Sequence, residues 1–326
     1  MPELPEVQTT VNGINRDLKG LRILDVWTDY STNNLRPTTN NLNQIKNSRF
    51  FKKFKRNVVG AKILGAERRA KNILIHLSDK NTILIHMKMT GHLLYGRYEK
   101  RRAKNENRDK TKNSNLKAER RMKTATAWVA VEKGPLRDDS YNQFIHLVFV
   151  LSNGKHLALS DVRKFAKVTV LPTNRLEKEL SHLGPEPLDK SFKLKAFGLK
   201  LKERPSGKIK QVLMDQEIVS GVGNIYSDEI LWASGIHPLR QGKSLKPQEI
   251  KCVFRNMLKI LKKGIKLGGD SLSDYRRLDG KRGKFQYQHK AYQKTNEPCS
   301  KKNCRGIIKR VVIGGRSAHF CSAHQK

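Results

Sequence analysis

Two hydrophobic periods divide this chain. Up to about Leu171, apolar residues recur at alternate positions or in short unbroken runs, the signature of strands. An amphipathic helix from about Pro5 to Leu18 opens the chain. Strand-like segments follow at Arg22–Thr28, Phe50–Val58, Ala61–Glu67, Asn72–Leu77 and Thr82–Met87, with turns at Gly60, Asp79 and Asn81. From Arg97 to Lys123 the chain is nearly all Lys, Arg, Asn and Glu. Such a stretch has too little apolar surface to bury and is expected to be mobile. Strands resume at Thr126–Val131, Phe144–Leu151, His156–Ser160 and Lys167–Leu171. The first half thus reads as a β-sandwich interrupted by a charged insertion. Beyond Leu171 the spacing becomes helical, over Leu176–Leu183, Leu194–Leu201, Ile209–Met214, Ile225–Ala233 and Pro247–Leu267. A polar loop from Gly268-Gly269 to Lys284 precedes a cysteine-bearing tail. The pattern predicts an α+β multidomain protein: a β-sandwich over 1–172 with an insertion at about 97–142, a helical domain over 173–284, and a small terminal module over 285–326.

Charge narrows the class of partner. Lys and Arg number 67 against 29 Asp and Glu, a formal net charge of +38. So much self-repulsion points to a polyanion, with nucleic acid first and an anionic membrane as the rival. No apolar run is long enough to span a bilayer and no lipidation signal is present, which sets the membrane aside. The start, Met-Pro-Glu-Leu-Pro-Glu, has no basic n-region and no apolar core, so a cytoplasmic protein is expected. Four cysteines are too few for a disulfide scaffold, and three of them cluster near the C-terminus. That distribution suggests metal in a reducing compartment.

Three stretches carry candidate chemistry. Cys299-x4-Cys304-x16-Cys321-x2-His324 offers three thiolates and an imidazole, a sufficient set for a closed tetrahedral zinc site. Alternation over Gly306–Phe320 about Gly314-Gly315 predicts a β-hairpin between the ligand pairs. The bland reading is three free cysteines in a basic tail. His319 competes as fourth ligand, but the alternation places it beside Cys321 only with strain, so His324 is favoured; Cys252 reads as a packing residue. Gly221-Val222-Gly223-Asn224 precedes a helix, where amides approach an anion closely. There Asn224 either caps the helix or donates to a phosphate, and both readings stay open. Pro2 also has two readings. After removal of Met1 it would present a secondary amine with a pKa of roughly 8, able to attack an electrophilic sugar carbon, with Glu3 and Glu6 beside it to handle protons. Alternatively, Pro and acidic residues simply start a helix. Spacing alone favours the second.

Resemblance shifts that balance. Pro2-Glu3-Leu4-Pro5-Glu6-Val7 resembles the N-terminal signature of the formamidopyrimidine-DNA glycosylase family, as do Arg68-Arg69-Ala70-Lys71, His86-Met87-Lys88-Met89-Thr90-Gly91 and His182-Leu183-Gly184-Pro185-Glu186-Pro187. Met214-Asp215-Gln216 through Gly221–Tyr226 is similar to its helix–two-turn–helix, and Gly315-Arg316-Ser317 with Phe320-Cys321 to its zinc-finger hairpin. These motifs stand in family order over almost the whole chain, outside about 97–142. The resemblance implies an N-terminal catalytic β-sandwich, a helix–two-turn–helix domain and a C-terminal zinc finger with one structural Zn2+. It implies a monomer that binds damaged double-stranded DNA, with Pro2 as the Schiff-base nucleophile and Glu3 as proton carrier, supported by Glu6. Lys71 and Arg316 would contact phosphates and assist elimination. Met89, Arg163 and Phe165 would fill the gap left by an extruded base, and His146, Lys210 and Asn224 would contact DNA. The bland alternatives are core packing for Met89 and Phe165, a surface ion pair for Arg163, an exposed strand-end Lys71 and a β-turn Arg316.

The chain departs from the family in three places. The first finger pair is spaced x4 where x2 is usual, and His324 replaces a cysteine. Asp161-Val162-Arg163-Lys164-Phe165-Ala166 stands where the family has Asp-Pro-Arg-Arg-Phe-Gly. A histidine pair survives only as His146, with Phe144 at the other position. Three functions compete: an oxidised-purine glycosylase/lyase, an endonuclease VIII-type enzyme for oxidised pyrimidines, and a non-catalytic zinc-containing DNA-binding protein. Leu4 and the polar loop Asp270–Lys284, which in the purine branch closes over the flipped base, favour the first.

Overall fold

The computed structural model describes residues 1–30, 44–102 and 126–326. After helix α1 (Leu4–Asp17) come β1 (Ile23–Thr28), α2 (Ser48–Val58), β2 (Ile63–Arg69), β3 (Asn72–Leu77), β4 (Asn81–His86), β5 (His92–Gly96) and β6 (Tyr98–Arg102). Then follow β7 (Thr126–Ala130), a helical turn α3 (Pro135–Asp138), β8 (Ile145–Leu151), β9 (His156–Ser160) and β10 (Lys167–Pro172). Two antiparallel four-stranded sheets result, in the orders β1-β8-β9-β5 and β10-β4-β3-β2. Side-chain alternation explains their pairing. Ile73, Ile75, Leu77, Ile83, Ile85 and Val168 from one sheet meet Leu147, Phe149, Leu151, Leu157 and Leu159 from the other in one buried core. Leu74 and Leu84, on the opposite face, pack instead against Leu176 and Leu180.

The helical half comprises a single turn α4 (Leu176–Glu179), α5 (Leu194–Lys202), α6 (Ile209–Met214), α7 (Asn224–Ser234) and α8 (Pro247–Lys266). Its core gathers Phe197, Leu213, Val222, Tyr226, Ile230, Met257 and Leu261. Helix α1 belongs to both halves. Leu4 lies in the helical core, whereas Val7, Val11, Ile14 and Leu18 lie in the sandwich core. The N-terminus is thereby fixed at the junction. The tail ends in the hairpin β11 (Ile308–Ile313) and β12 (Arg316–Cys321), whose turn residues Gly314 and Gly315 have φ of 55° and 73°. Positive φ at both central positions matches the right-handed strand twist.

Several expectations need correction. Phe50–Val58 is helix, not strand: Phe50, Phe51, Phe54 and Val58 follow a 3.6-residue period, and Asn47 caps the start by accepting from the Phe50 amide at 3.0 Å. Only Phe54 and Val58 are fully buried there, and Lys52, Lys53 and Arg56 are exposed. Strand β5 was hidden because His92, a polar residue, is buried within it. Leu176–Leu183 shortens to the single turn α4. The root of the charged insertion is an ordered ribbon, β6 paired with β7, with Trp128 edge-on to Trp27 at 5.9 Å and the Lys100 ammonium 5.2 Å above the Trp128 ring. The rest of that insertion, 103–125, lies outside the described residues. Among the described residues no helix is long and apolar enough to cross a membrane.

Candidate active site

Glu3 is the N-cap of α1 and is almost wholly buried. The helix start that follows Gly221–Asn224 receives a side chain of this same chain, the Glu3 carboxyl group. Oε1 accepts from the Ile225 amide at 2.9 Å and Oε2 from the Tyr226 amide at 3.4 Å, both at the start of α7. A Cβ at Gly223 would collide with this carboxyl group, so the approach requires glycine there. The Leu4 amide donates to the Gly221 carbonyl at 3.0 Å, tying α1 to the same loop. Asn224 does not cap its helix. Its side chain lies against the Tyr292 hydroxyl, and its Oδ1 is buried without a hydrogen-bond partner.

Glu6 completes a carboxylate pair. It accepts the Glu3 amide at 2.7 Å on Oε2, and the Tyr226 hydroxyl and Asp270 amide at 2.7 Å each on Oε1. Burial, then the neighbouring Glu3 charge, push its pKa up to about 7, against the pull of those donors. Burial also raises Glu3, against the positive charge of Lys71 and the two α7 amides. Lys71 is buried too, which lowers its pKa; Glu3 and Glu6 oppose this, while the Arg316 charge adds to it. Glu3, Glu6, Lys71 and Arg316 therefore form one electrostatically coupled set beside buried Pro2. Because the folded state holds the Glu6 proton more tightly than the unfolded chain does, its contribution to stability is complete below pH 4.5 and is lost as pH rises through about 7. Glu6→Gln, which stays neutral, is expected to flatten the decline in denaturant midpoint between about pH 5 and pH 8. A variant with an unchanged pH slope would show that Glu6 does not titrate in this window.

Lys71 owes its place to a tight turn and a clamp. Arg69 pairs with Asn72 across the β2–β3 turn, with Ala70 at φ 54°. The Ala70 amide donates to Glu186 Oε1, Arg68 lies 2.6 Å from Glu186 Oε2, and Arg69 reaches Glu186, the carbonyls of Leu183 and Gly184, and Ser220. The motif Arg68-Arg69-Ala70-Lys71 thus joins the sandwich to the helical half and aims the next residue, Lys71, at the carboxylates. Pattern reading identified the motif but not this role.

A second cluster lies in two neighbouring loops. Buried Asp161 accepts from the Thr90 hydroxyl, the Tyr30 hydroxyl at 3.1 Å and the Ala166 amide at 2.8 Å, while the Thr90 oxygen accepts the Arg163 amide at 3.1 Å. These bonds bring the Met89 loop against the 161–166 loop. Lys164 adopts φ 53°, so the altered sequence still forms a tight turn. Phe165 is 47% exposed and the Arg163 guanidinium lies 4.5 Å above its ring. Core packing therefore does not describe Phe165. Arg163 has no carboxylate partner among the described ion pairs. His146 is held by Asp29 at 2.9 Å, and Asp29 also pairs with Lys164 at 3.2 Å.

Lys210 sits differently from a surface phosphate ligand. It is 1% exposed and pairs with Asp228, while also reaching the Asn224 carbonyl at 3.4 Å. Asp228 in turn accepts the His319 backbone amide at 3.0 Å and ring Nδ1 at 2.9 Å. His319 and Cys321, two residues apart on β12, share a face without strain; the Asp228 contact is what occupies His319. Arg316 is exposed at the start of β12.

Cys299, Cys304, Cys321 and His324 bring their donor atoms within 4.8 Å of one another. Cys304 and Cys321 sulfurs are 3.5 Å apart, and His324 Nδ1 is 3.4 Å and 3.7 Å from the Cys299 and Cys304 sulfurs. Zn–S bonds of about 2.3 Å in a tetrahedron require sulfurs about 3.8 Å apart, so this donor set fits such an ion. His324 Nε2 donates to the Trp232 carbonyl at 3.0 Å, leaving the Nδ1 lone pair to face the sulfurs. The x4 spacing therefore still closes a four-donor cage able to hold a metal ion.

Comparison with known proteins agrees with this architecture. Residues 1–168 match the formamidopyrimidine-DNA glycosylase N-terminal domain, and residues 183–276 match the formamidopyrimidine-DNA glycosylase H2TH domain. The formamidopyrimidine-DNA glycosylase of Desulforamulus reducens is 32% identical across 100% of this chain and 99% of its own length. That of Herpetosiphon aurantiacus is 32% identical across 100% of both. Among solved structures, Lactococcus lactis Fpg in complex with abasic-site DNA superposes with a TM-score of 0.76, at 27% identity over 99% of each chain. A mutant of the same protein with Fapy-dG-containing DNA gives 0.76 at 27% identity over 100% of each. With its sandwich, its helix–two-turn–helix and its terminal cysteine hairpin all accounted for, this chain belongs to the formamidopyrimidine-DNA glycosylase family of DNA repair enzymes.

Proposed function

We propose that the protein excises oxidised purines, 8-oxoguanine and formamidopyrimidines, from duplex DNA and cleaves the abasic product by β,δ-elimination through a Schiff base on Pro2. The observation that carries this reading is the buried Glu3–Glu6–Lys71 set beside Pro2, at the junction of the two cores. With Met1 attached, the Pro2 nitrogen is an amide. Once Met1 is removed, its lone pair attacks C1′, the glycosidic bond breaks, and the base leaves with a proton. Glu3, with its raised pKa, serves as the proton carrier for sugar opening, and Glu6 keeps it oriented. Lys71 and Arg316 hold phosphate near the lesion and assist elimination.

Met89, Arg163 and Phe165 fill the gap left by the extruded base; the paired loops and the exposed Phe165 support that role. Asn224 and His146 contact the DNA backbone. Lys210, with its charge held by Asp228, acts through the α7 start that it fixes. The functional units follow the division 1–172, 173–284 and 285–326. The cysteine-histidine cage holds one structural Zn2+, which closes the terminal hairpin and contributes no catalytic step. The protein works as a monomer on damaged duplex DNA, in the cytoplasm. Single-turnover excision tests the substrate class: 8-oxoguanine opposite cytosine should be released faster than thymine glycol in the same duplex. The reverse ranking would assign the protein to oxidised pyrimidines.

A further inference from the structure

The loop 270–284 begins at the catalytic carboxylates. The Asp270 amide donates to Glu6, and the Tyr275 hydroxyl donates to the Glu6 carbonyl at 3.1 Å. Further along, the loop is gripped by a turn outside the motifs that identify the family, residues 135–143, which follows the β6–β7 ribbon of the insertion. Arg276 is 3% exposed, and its Nε donates to Asp139 at 2.6 Å. Its guanidinium lies 5.0 Å above the Tyr141 ring and donates through Nη1 to the carbonyls of Ser273 and Tyr275. A buried arginine in the loop thus finds its countercharge in the turn. Gly280 packs so tightly on the same turn that a Cβ there would lie 2.7 Å from the Leu136 nitrogen, and its φ is +77°.

Asn142 connects the two segments. Its amide nitrogen donates to the Pro135 carbonyl at 2.7 Å and, across the boundary, to the Gly280 carbonyl at 3.1 Å. Its oxygen accepts from His92 Nε2 at 2.9 Å. Burial holds His92 neutral, with its pKa lowered to about 4, so this ring has a stable N–H to give. The Ser160 hydroxyl donates to the Tyr141 carbonyl at 2.6 Å. The turn is therefore anchored on strands β5 and β9 on one side and on the loop on the other.

We infer that the turn 135–143 is a positioning element for the loop 270–284, with Asp139, Tyr141 and Asn142 fixing the loop's shape beside the site before a lesion arrives. This rests on the reading above that the loop covers the extruded base. A group that only shapes a base-covering loop affects removal of the base; cleavage of a sugar that has already lost its base does not need it. Asp139→Asn removes the countercharge, Arg276→Leu removes the latch, and Arg276→Lys keeps a charge but not the flat stacked fork.

The experiment compares, in the full-length protein lacking Met1, single-turnover excision of 8-oxoguanine with strand cleavage at a preformed abasic site in the same duplex. Excision should fall by about tenfold or more in Asp139→Asn and Arg276→Leu, less in Arg276→Lys, with abasic-site cleavage within about twofold of the unmodified protein. Equal loss of both reactions, or loss of neither, would overturn the inference. Hydrogen exchange on the unmodified protein covers the case in which a variant fails to fold. The Arg277 and Gly280 amides, which donate to Lys281 and Arg277 carbonyls at 3.0 and 2.8 Å, should be protected without DNA. Exchange at the rate of an open chain would overturn a preset loop. An unmodified protein that cuts abasic sites but releases no purine lesion would contradict the proposed substrate class instead.

Discussion

Glu3→Gln is expected to slow single-turnover release of 8-oxoguanine by about 10²–10⁴-fold, the range of a positioned proton carrier, while the protein stays folded and binds DNA normally. The variant keeps the side-chain volume and an oxygen able to accept from the Ile225 amide, so the contact between α1 and α7 survives. It loses the ability to carry a proton, together with the negative charge that faces Lys71. Glu3 is suited to that task because burial raises its pKa while Lys71 and two backbone amides keep its charged form accessible. Asp270 is also buried, but its Oδ2 is 2.6 Å from His289 Nε2, and Glu6 already accepts three donors. Neither is free to take over the role. An excision rate within about threefold of the unmodified protein, a loss of under 1 kcal/mol, would remove Glu3 from the chemistry.

His324→Ala should lose the metal and, with it, most lesion-specific binding. Four donor side chains converge in the tail, and the terminal module has a small apolar cluster, Cys299, Ile308 and Cys321, with Cys304 and Trp232 of α7 alongside. Without the fourth donor the cage opens to water, and the Trp232 carbonyl loses the ring that bonds it. Structural zinc is worth on the order of 10 kcal/mol in comparable small modules, far more than this cluster can replace. Arg316 rides on the same hairpin, so duplex affinity should fall together with metal content. Elemental analysis of purified protein, alongside binding to abasic-site duplex, measures both. Full metal content in His324→Ala would identify another ligand. His319 is a poor substitute, because Asp228 binds both its ring and its backbone amide.

What the sequence made legible was set by how local each signal was. Strand pairs such as Asn72–Leu77 with Asn81–His86 were plain, because two short apolar runs and the turn between them lie close together in the chain. The hairpin about Gly314-Gly315 and the convergence of Cys299, Cys304, Cys321 and His324 were equally readable. Helix α2 was misread because Phe50 and Phe51 are adjacent, and a short run of aromatics fits a strand as well as one helical turn. The site was legible as motifs but not as contacts. Gly221–Asn224 was read as a loop that approaches an anion or as a capped turn, and nothing local indicates that the group it meets is Glu3, more than 200 residues earlier. Lys210 was expected to contact DNA, and nothing local shows that Asp228 on the next helix pairs with it. The clamp of Arg68 and Arg69 on Glu186, and the grip of Asp139 on Arg276, depend on pairings that only the folded chain brings together.

Borohydride trapping tests the central claim most directly. Protein lacking Met1 is incubated with duplex DNA containing 8-oxoguanine opposite cytosine, reduced, digested and mapped. The expected result is one protein–DNA adduct on the N-terminal peptide, at Pro2, strongly reduced or abolished in Pro2→Gly and in protein that retains Met1. An adduct of the unmodified protein mapping to Lys71 or any other internal lysine would contradict catalysis by the N-terminal amine.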